Sequence, residues 1–397
     1  MPSPTKAFTQ PNLWIKFHSL IGLTVGLLFS LIGITGSLSI YHDELDELFN
    51  PLLKNQSNTG PTLPLDTIMA SVRFAHPSRH GEWILEMPRT PHGMLTAWYE
   101  KPHETFGEYY APLMVLINPY TAEVIDSRFW GDTFTTWIYN LHTQLLRGYK
   151  GAWTVGILGL AMIVSVVSGL YLCWKTYETK KLRLFSVKTS NDLMGISQDI
   201  HRMVGLLTAL PLLLLSLTGV HLAFPEILET VFKVPEMSHG SDSPRIRSTA
   251  KPNDHPISPT EAIVIARGLF PHAEVRRISI PVGDDGIYKV NLRRPEERNV
   301  HHPYTMVWVD RWSGQIREVL NPNKFTFGQD LISKIYPIHS GENYTTISKL
   351  LWFLIGFSPA LMYMSGLTQW LIRCGFLKTI EISTNKWLQA HLKKILK

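Results

Sequence analysis

The stretch "LWIKFHSLIGLTVGLLFSLIGITGSLSIYHDELDE" occupies residues 13–47. From Ser19 to Tyr41 it contains no Asp, Glu, Lys or Arg, and His18 stands just before that run. About 20 apolar residues carry a helix across the hydrocarbon core of a bilayer. Three further runs meet the same test: Gly151–Trp174, Met203–Phe224 and Leu350–Ile372. Mean hydropathy over the whole chain is only +0.01, so the apolar residues are segregated into these runs. Four transmembrane helices are expected. The first run is longer than a signal-peptide core and is followed by "HDELDELFNP" rather than a small-residue cleavage site, so it is expected to remain as an anchor.

The net charge of +6 over 397 residues is localised. Lys6 and Lys16 precede the first run. Lys175, Lys180, Lys181, Arg183, Lys188 and Arg202 fill the connection between the second and third. Arg373, Lys378, Lys386, Lys393, Lys394 and Lys397 follow the fourth. All three clusters fall on one side, which places both termini and the short loop in the cytoplasm. The basic balance therefore describes topology, and no nucleic-acid motif accompanies it. The two cysteines, Cys173 and Cys374, form no C-x-x-C or C-x-x-C-H pattern. A disulfide framework, a thiolate metal cluster and covalent haem attachment are thus excluded, and both are expected as ordinary buried thiols.

The chain is written twice. Laid over the first span without a gap, the third matches His18 with His201, Gly22 with Gly205, Leu23 with Leu206, Thr35 with Thr218 and Gly36 with Gly219. The fourth matches the second in the same way: His142 with His339, Gly159 with Gly356, and Ser168-Gly169-Leu170 with Ser365-Gly366-Leu367. Each half has two spans, so both enter the membrane in the same direction as parallel repeats.

Between the spans of each half lies a long polar segment. "LPLDTIMASVRFAHP" and "SPTEAIVIARGLFPHAEV" read as helices, the second with a Ser258/Glu261 capping box. "GIYKVNLRR" and "YTMVWVD" alternate as strands do, and "INPYTAEVID" and "VDRWSGQIRE" read as turn and last strand. Each segment is expected to be an α+β domain with an antiparallel sheet. The expected boundaries are a tail 1–12, span 13–42, domain 43–140, span with its approach 141–175 and basic loop 176–196. The second half runs span 197–224, domain 225–340, span 341–374 and tail 375–397. Residues 235–257, rich in Pro, Ser, His and Asp, read as a linker.

"FHSLIGL", "YHDELDELFNP", "LHTQLLRG", "DIHRMVGL" and "IHSGE", in this order and with these intervening domains, resemble the PepSY-associated transmembrane family from about Leu13 to Leu377. The resemblance implies an integral α-helical membrane protein with two periplasmic α+β PepSY-like domains, in a bacterial inner membrane. It also implies a role in iron uptake, because similar members include di-haem reductases of ferric siderophores.

Sixteen histidines are present. His76, His80, His92, His103, His239, His255, His272, His301 and His302 lie in the polar segments, where surface or turn roles are expected. The span-associated set differs. His18 and His201 are repeat equivalents at the same depth, and two imidazoles facing each other across a bundle suit the axial positions of one haem iron. His142 and His339 form a second equivalent pair for a second b-type haem. His221 and His42 remain alternatives at that outer site, as ligands or as proton or substrate groups. Lys16, Arg202, Arg147 and Lys150 are candidate partners for haem propionates.

One haem towards each face makes an electron path across the bilayer. With no G-x-G-x-x-G, the electrons must come from a separate donor, a quinol or a reductase. The resemblance implies a periplasmic ferric siderophore as acceptor, and Trp130, Trp137, Tyr139 and Tyr336 are candidates for its docking surface. Two other readings compete: a non-enzymatic sensor using the PepSY-like domains, and a transporter whose helices break at Pro211 and Pro359.

Overall fold

The computed structural model describes residues 13–51, 60–88, 93–180, 192–234, 246–248, 255–341 and 346–377. Lys6, the loop cations Lys181, Arg183 and Lys188, the tail lysines from Lys378 onward, and His92, His239 and His391 lie outside the described residues, as does most of the expected linker.

The chain divides into two compact units. One holds the long apolar helices α1 (Leu13–Ser39), α5 (Gly148–Lys180), α6 (Leu193–Ala223) and α10 (Thr346–Arg373). All four are long and apolar enough to cross a membrane. Their faces turned away from one another are greasy: Leu27, Leu210 and Met364 are 63%, 73% and 60% exposed. Such surface is costly in water and suits lipid. This is a multi-pass membrane protein. The helices run past the charge-free stretches at several ends, because a bilayer limits where charges lie and not where a helix stops. Thus α5 and α6 extend into the expected basic loop.

Within this unit small residues set close helix crossings. A Cβ on Gly33 would strike the carbonyl oxygen of Gly356, and one on Gly26 would meet the Tyr363 ring at 2.5 Å. Ser37 Oγ donates to the Phe353 carbonyl at 2.8 Å, tying α1 to α10. Pro359 removes an N–H and orphans the carbonyl four residues earlier. Ser358 Oγ donates to that Ile355 oxygen at 2.6 Å. Both α6 and α10 run unbroken through Pro211 and Pro359, so the cue for a transporter with interrupted helices is gone.

The second unit joins both polar segments. Eight strands, β1 (Trp83–Glu86), β2 (Leu95–Tyr99), β3 (Leu113–Ile117), β4 (Val124–Phe129), β5 (Glu274–Ile280), β6 (Ile287–Arg293), β7 (Thr305–Asp310) and β8 (Ile316–Leu320), form one sheet. Its order is β4-β3-β2-β1-β5-β6-β7-β8, antiparallel throughout. The two sheets expected from the sequence are therefore continuous, joined at a β1–β5 seam that pairs Leu85 with Ile278 and Glu86 with Arg277. The outer strand β8 carries Arg317 and Glu318 on an exposed edge, which blocks further pairing.

One face of the sheet is the core. Leu85, Ala97, Val115, Ile278, Val290 and Val307 are fully buried there against Ile68 and Val72 of α3 (Leu65–Ala75) and Ala262 and Ala266 of α8 (Pro259–Leu269). The expected capping box forms at α8: Glu261 N–H donates to Ser258 Oγ at 3.2 Å, and Ser258 N–H to Glu261 Oε2 at 2.7 Å. Short helices α2 (His42–Phe49) and α7 (Pro225–Phe232), and the helices α4 (Phe134–Gln144) and α9 (Phe327–Ser340), complete the unit. Helix α2 pairs with α4, and α7 with α9. Cys374 is exposed rather than buried, and Cys173 is half-buried.

Candidate functional site: two facing histidine pairs

In the helical unit His18 of α1 faces His201 of α6, with ring centres 6.2 Å apart and planes at 89°. Each ring is held by a serine of a neighbouring helix. His18 Nδ1 lies 2.9 Å from Ser168 Oγ of α5, and His201 Nδ1 lies 2.9 Å from Ser365 Oγ of α10. The serine hydroxyls donate their own protons backwards, to the carbonyls of Ser165 and Met362 at 3.0 Å each. With the hydroxyl protons turned to those carbonyls, the serine oxygens accept from imidazole Nδ1–H, the tautomer that leaves Nε2 able to ligate. Glycines follow the serines in sequence and press on the rings. A Cβ on Gly169 would meet His18 Cε1 at 3.1 Å, and one on Gly366 would meet His201 Cε1 at 3.5 Å.

One turn deeper, Gly22 has open space where a side chain would be, whereas Gly205 packs on Met362. A cleft of about 550 Å³ opens nearby, lined by Leu170, Tyr171, Cys173, Trp174 and Tyr177 of α5 and Leu206 of α6. Of the expected cations here, Lys16 is exposed. Arg202 donates from Nη2 to the buried Asp199 carboxylate at 2.7 Å.

In the second unit His142 of α4 faces His339 of α9, with ring centres 6.1 Å apart and planes at 37°. Both helices open with a threonine capping box, Thr133 with Thr136 and Thr326 with Gln329. Helix α4 stops at Gln144, two residues after His142, and Leu145 and Leu146 then adopt positive φ of 48° and 55°. Two consecutive leucines in this region are strained by about 1–3 kcal/mol each. The turn separates α4 from α5, a break the sequence reading did not expect. Helix α9 ends instead on Gly341 at φ 74°, where glycine is at ease. Arg147 and Lys150 stand exposed at the α5 start.

His42 does not join this pair through a ring contact. It stacks on Trp130 at 6.1 Å and 9°, with its Nε2 buried and without a partner. His221 is 6% exposed, and its Nδ1 also lacks a partner. Above the pair, one turn back along each helix, Tyr139 contacts Trp130 at 5.4 Å and Tyr336 contacts His302 at 5.3 Å. Burial pushes the Tyr139 hydroxyl pKa up, so it stays protonated. Trp137 is 42% exposed.

From Tyr139 and Tyr336 the contacts run on to the sheet seam. Trp130 touches Trp98 at 6.0 Å, and Trp98 Nε1 donates to Glu86 Oε2 at 3.0 Å. Glu86 pairs with Arg277 Nη2 at 2.9 Å, and Arg277 Nη1 reaches His302 Nδ1 at 3.4 Å.

A family profile described as the PepSY-associated TM region matches residues 15–373. The chain belongs to the PepSY-associated TM family. No curated protein matches it significantly. The profile spans both histidine pairs, both serines and the whole sheet, so every feature of the site lies within the PepSY-associated TM region. The sequence reading paired His18 with His201 and His142 with His339, and missed the hydrogen bonds of Ser168 and Ser365. Both serines had already aligned in the repeat, which was the available signal.

Proposed function

We propose that each histidine pair of this PepSY-associated TM protein holds one b-type haem, and that the two together carry electrons across a bacterial inner membrane to a ferric siderophore. The common spacing of the pairs carries this reading. An imidazole nitrogen sits about 2.0–2.1 Å from a first-row metal, so two rings on opposite sides of one ion have centres about 6.3 Å apart. Both pairs have that separation, 6.2 and 6.1 Å. Two imidazoles fill only two coordination positions, and among the described residues no group of three or more His, Cys, Asp or Glu gathers to hold a bare ion. Haem held by these imidazoles would supply one-electron transfer.

The chain's own groups do the rest. Ser168 and Ser365 fix the ligating tautomer of the inner rings, and such partners also raise ligand basicity. Gly169 and Gly366 keep the ring edges free of side chains, and Gly22 leaves room one turn deeper. Lys16, Lys175, Arg202 and Arg373 mark the same ends of the four spans, which favours cytoplasmic termini and a periplasmic α/β unit. His18 and His201 then lie towards the cytoplasmic donor, a quinol or reductase, and His142 and His339 towards the acceptor. Each ferric ion reduced takes one electron, and the weaker ferrous complex releases its iron.

The test is the reduced-minus-oxidised absorption spectrum of the purified protein with a haem count. Low-spin b-type bands and about two haems per chain are expected. A colourless preparation from haem-replete cells would overturn the proposal and favour a haem-free sensor or binding protein.

A further inference from the structure

The second unit takes in one end of every long apolar helix: residues 38–39 of α1, 148–154 of α5, 221–223 of α6 and 346–349 of α10. The four short helices start or stop beside those ends. Two residues separate α1 from α2, one separates α6 from α7, three separate α4 from α5, and five separate α9 from α10. Side chains tie them to the same level. Lys349 Nζ of α10 donates to Glu44 Oε1 of α2 at 2.8 Å. Trp153 of α5 packs on Phe224, the residue just before α7, with ring centres 5.2 Å apart.

Both helix pairs leave apolar side chains uncovered here. Leu48 and Phe49 of α2 stand exposed beside Phe134 of α4, and the two phenyl rings meet at 5.0 Å. Ile227 and Val231 of α7 stand exposed beside Phe327 of α9, whose ring meets Phe232 at 5.9 Å. Phe134 and Phe327 each directly follow the capping threonine of their helix. Trp137 and Leu331, also exposed, lie three and four residues on and so on the same helix faces. The two halves thus present the same kind of apolar edge. It continues the exposed apolar surface of the spans, where Trp153 and Ile347 stand uncovered at the ends of α5 and α10. Such contiguous surface is costly in water. Helices that lie in a membrane surface bury a face of this kind at headgroup level, where aromatic rings are enriched.

We infer that α2, α4, α7 and α9 lie half-sunk in the lipid leaflet at this end of the spans. The charged residues give the lipid class. Helices α2, α4 and α7 contain no Lys or Arg, whereas α2 carries Asp43, Glu44, Asp46 and Glu47, and α7 carries Glu226 and Glu229. Anionic headgroups meet no cation on these three helices, so immersion rests on apolar burial and fits a zwitterionic leaflet. Because α4 carries His142 and α9 carries His339, that histidine pair stands at headgroup level and not above the membrane. The inference is independent of what the pair holds.

The experiment reads depth by electron paramagnetic resonance of spin labels on the full-length protein in phosphatidylethanolamine/phosphatidylcholine nanodiscs. Single labels are placed with Leu48→Cys for the first helix pair and Val231→Cys for the second, in a Cys173→Ser/Cys374→Ser background. Val264→Cys on α8 is the reference, because Val264 and Val231 are equally exposed at 66%. Labels at Leu48 and Val231 are expected to collide with oxygen in preference to a water-soluble nickel chelate, at depths of about 5–10 Å below the lipid phosphates. The Val264 label is expected to show the opposite preference. Adding anionic phosphatidylglycerol, at low or high salt, should leave the depths unchanged. A label at Leu48 or Val231 that prefers the nickel chelate as Val264 does would overturn the inference. So would labels shielded from both reagents and broadened by spin–spin coupling, which would put a second copy of the chain on these faces. Depth that appears only with anionic lipid would overturn the zwitterionic assignment.

Discussion

His18 and His201 face each other with ring planes nearly perpendicular, whereas His142 and His339, at almost the same separation, are tilted by only 37°. The inner rings are fixed by side chains: each Nδ1–H ends on a serine of a neighbouring apolar helix. A ring nitrogen inside a span has no water to fall back on, so a second helix must supply its partner. The outer rings ride on two short helices whose placement is set by threonine capping boxes at one end and left-handed residues at the other. One ring separation is thus reached by two kinds of support, hydrogen bonds across a bundle of apolar helices and backbone caps in an α/β unit.

That contrast breaks first at the ligands. His18→Ala or His201→Ala should remove one haem and spare the other, and His142→Ala or His339→Ala should do the converse. In each case a haem count on folded protein should fall from about two per chain to about one. Next in size, Ser168→Ala and Ser365→Ala should weaken haem affinity at the inner pair alone. The expected loss is roughly 10–100-fold, as for other partners of metal-bound histidine, measured by haem transfer to an apo-globin scavenger. At the outer pair the equivalent lesion is in the caps. Thr133→Ala and Thr326→Ala should each cost about 1 kcal/mol of stability, seen as a lower melting temperature, with the inner haem spectrum unchanged. The smallest effect separates two glycines. Gly169→Ala brings a methyl to 3.1 Å from its histidine and should shift the inner midpoint potential, while Gly366→Ala at 3.5 Å should leave it nearly unmoved.

Much of this was legible because it is local. Charge-free runs marked all four spans, Ser258 and Glu261 announced the start of α8, and the gapless repeat singled out the four histidines from sixteen. What escaped depends on chain segments far apart. Leu85 pairs with Ile278, and Glu86 with Arg277, across about half of the chain's length. No local pattern shows that two four-stranded halves will fuse at that seam. Ser168 lies 150 residues from the imidazole it holds, so its alignment with Ser365 was visible while its hydrogen bond was not. The Leu145–Leu146 turn was hidden for another reason: leucine is a poor candidate for positive φ, and only the surrounding fold imposes it.

The most direct test is low-temperature electron paramagnetic resonance of the oxidised protein, because the relative orientation of two axial imidazole planes sets the splitting of the iron orbitals. Perpendicular rings at His18 and His201 predict one strongly anisotropic low-spin ferric signal, abolished by His18→Ala. The more nearly parallel rings at His142 and His339 predict a second, rhombic low-spin signal, abolished by His142→Ala. Protein from haem-replete cells that shows no low-spin ferric signal, or whose signals survive both substitutions, would contradict the account.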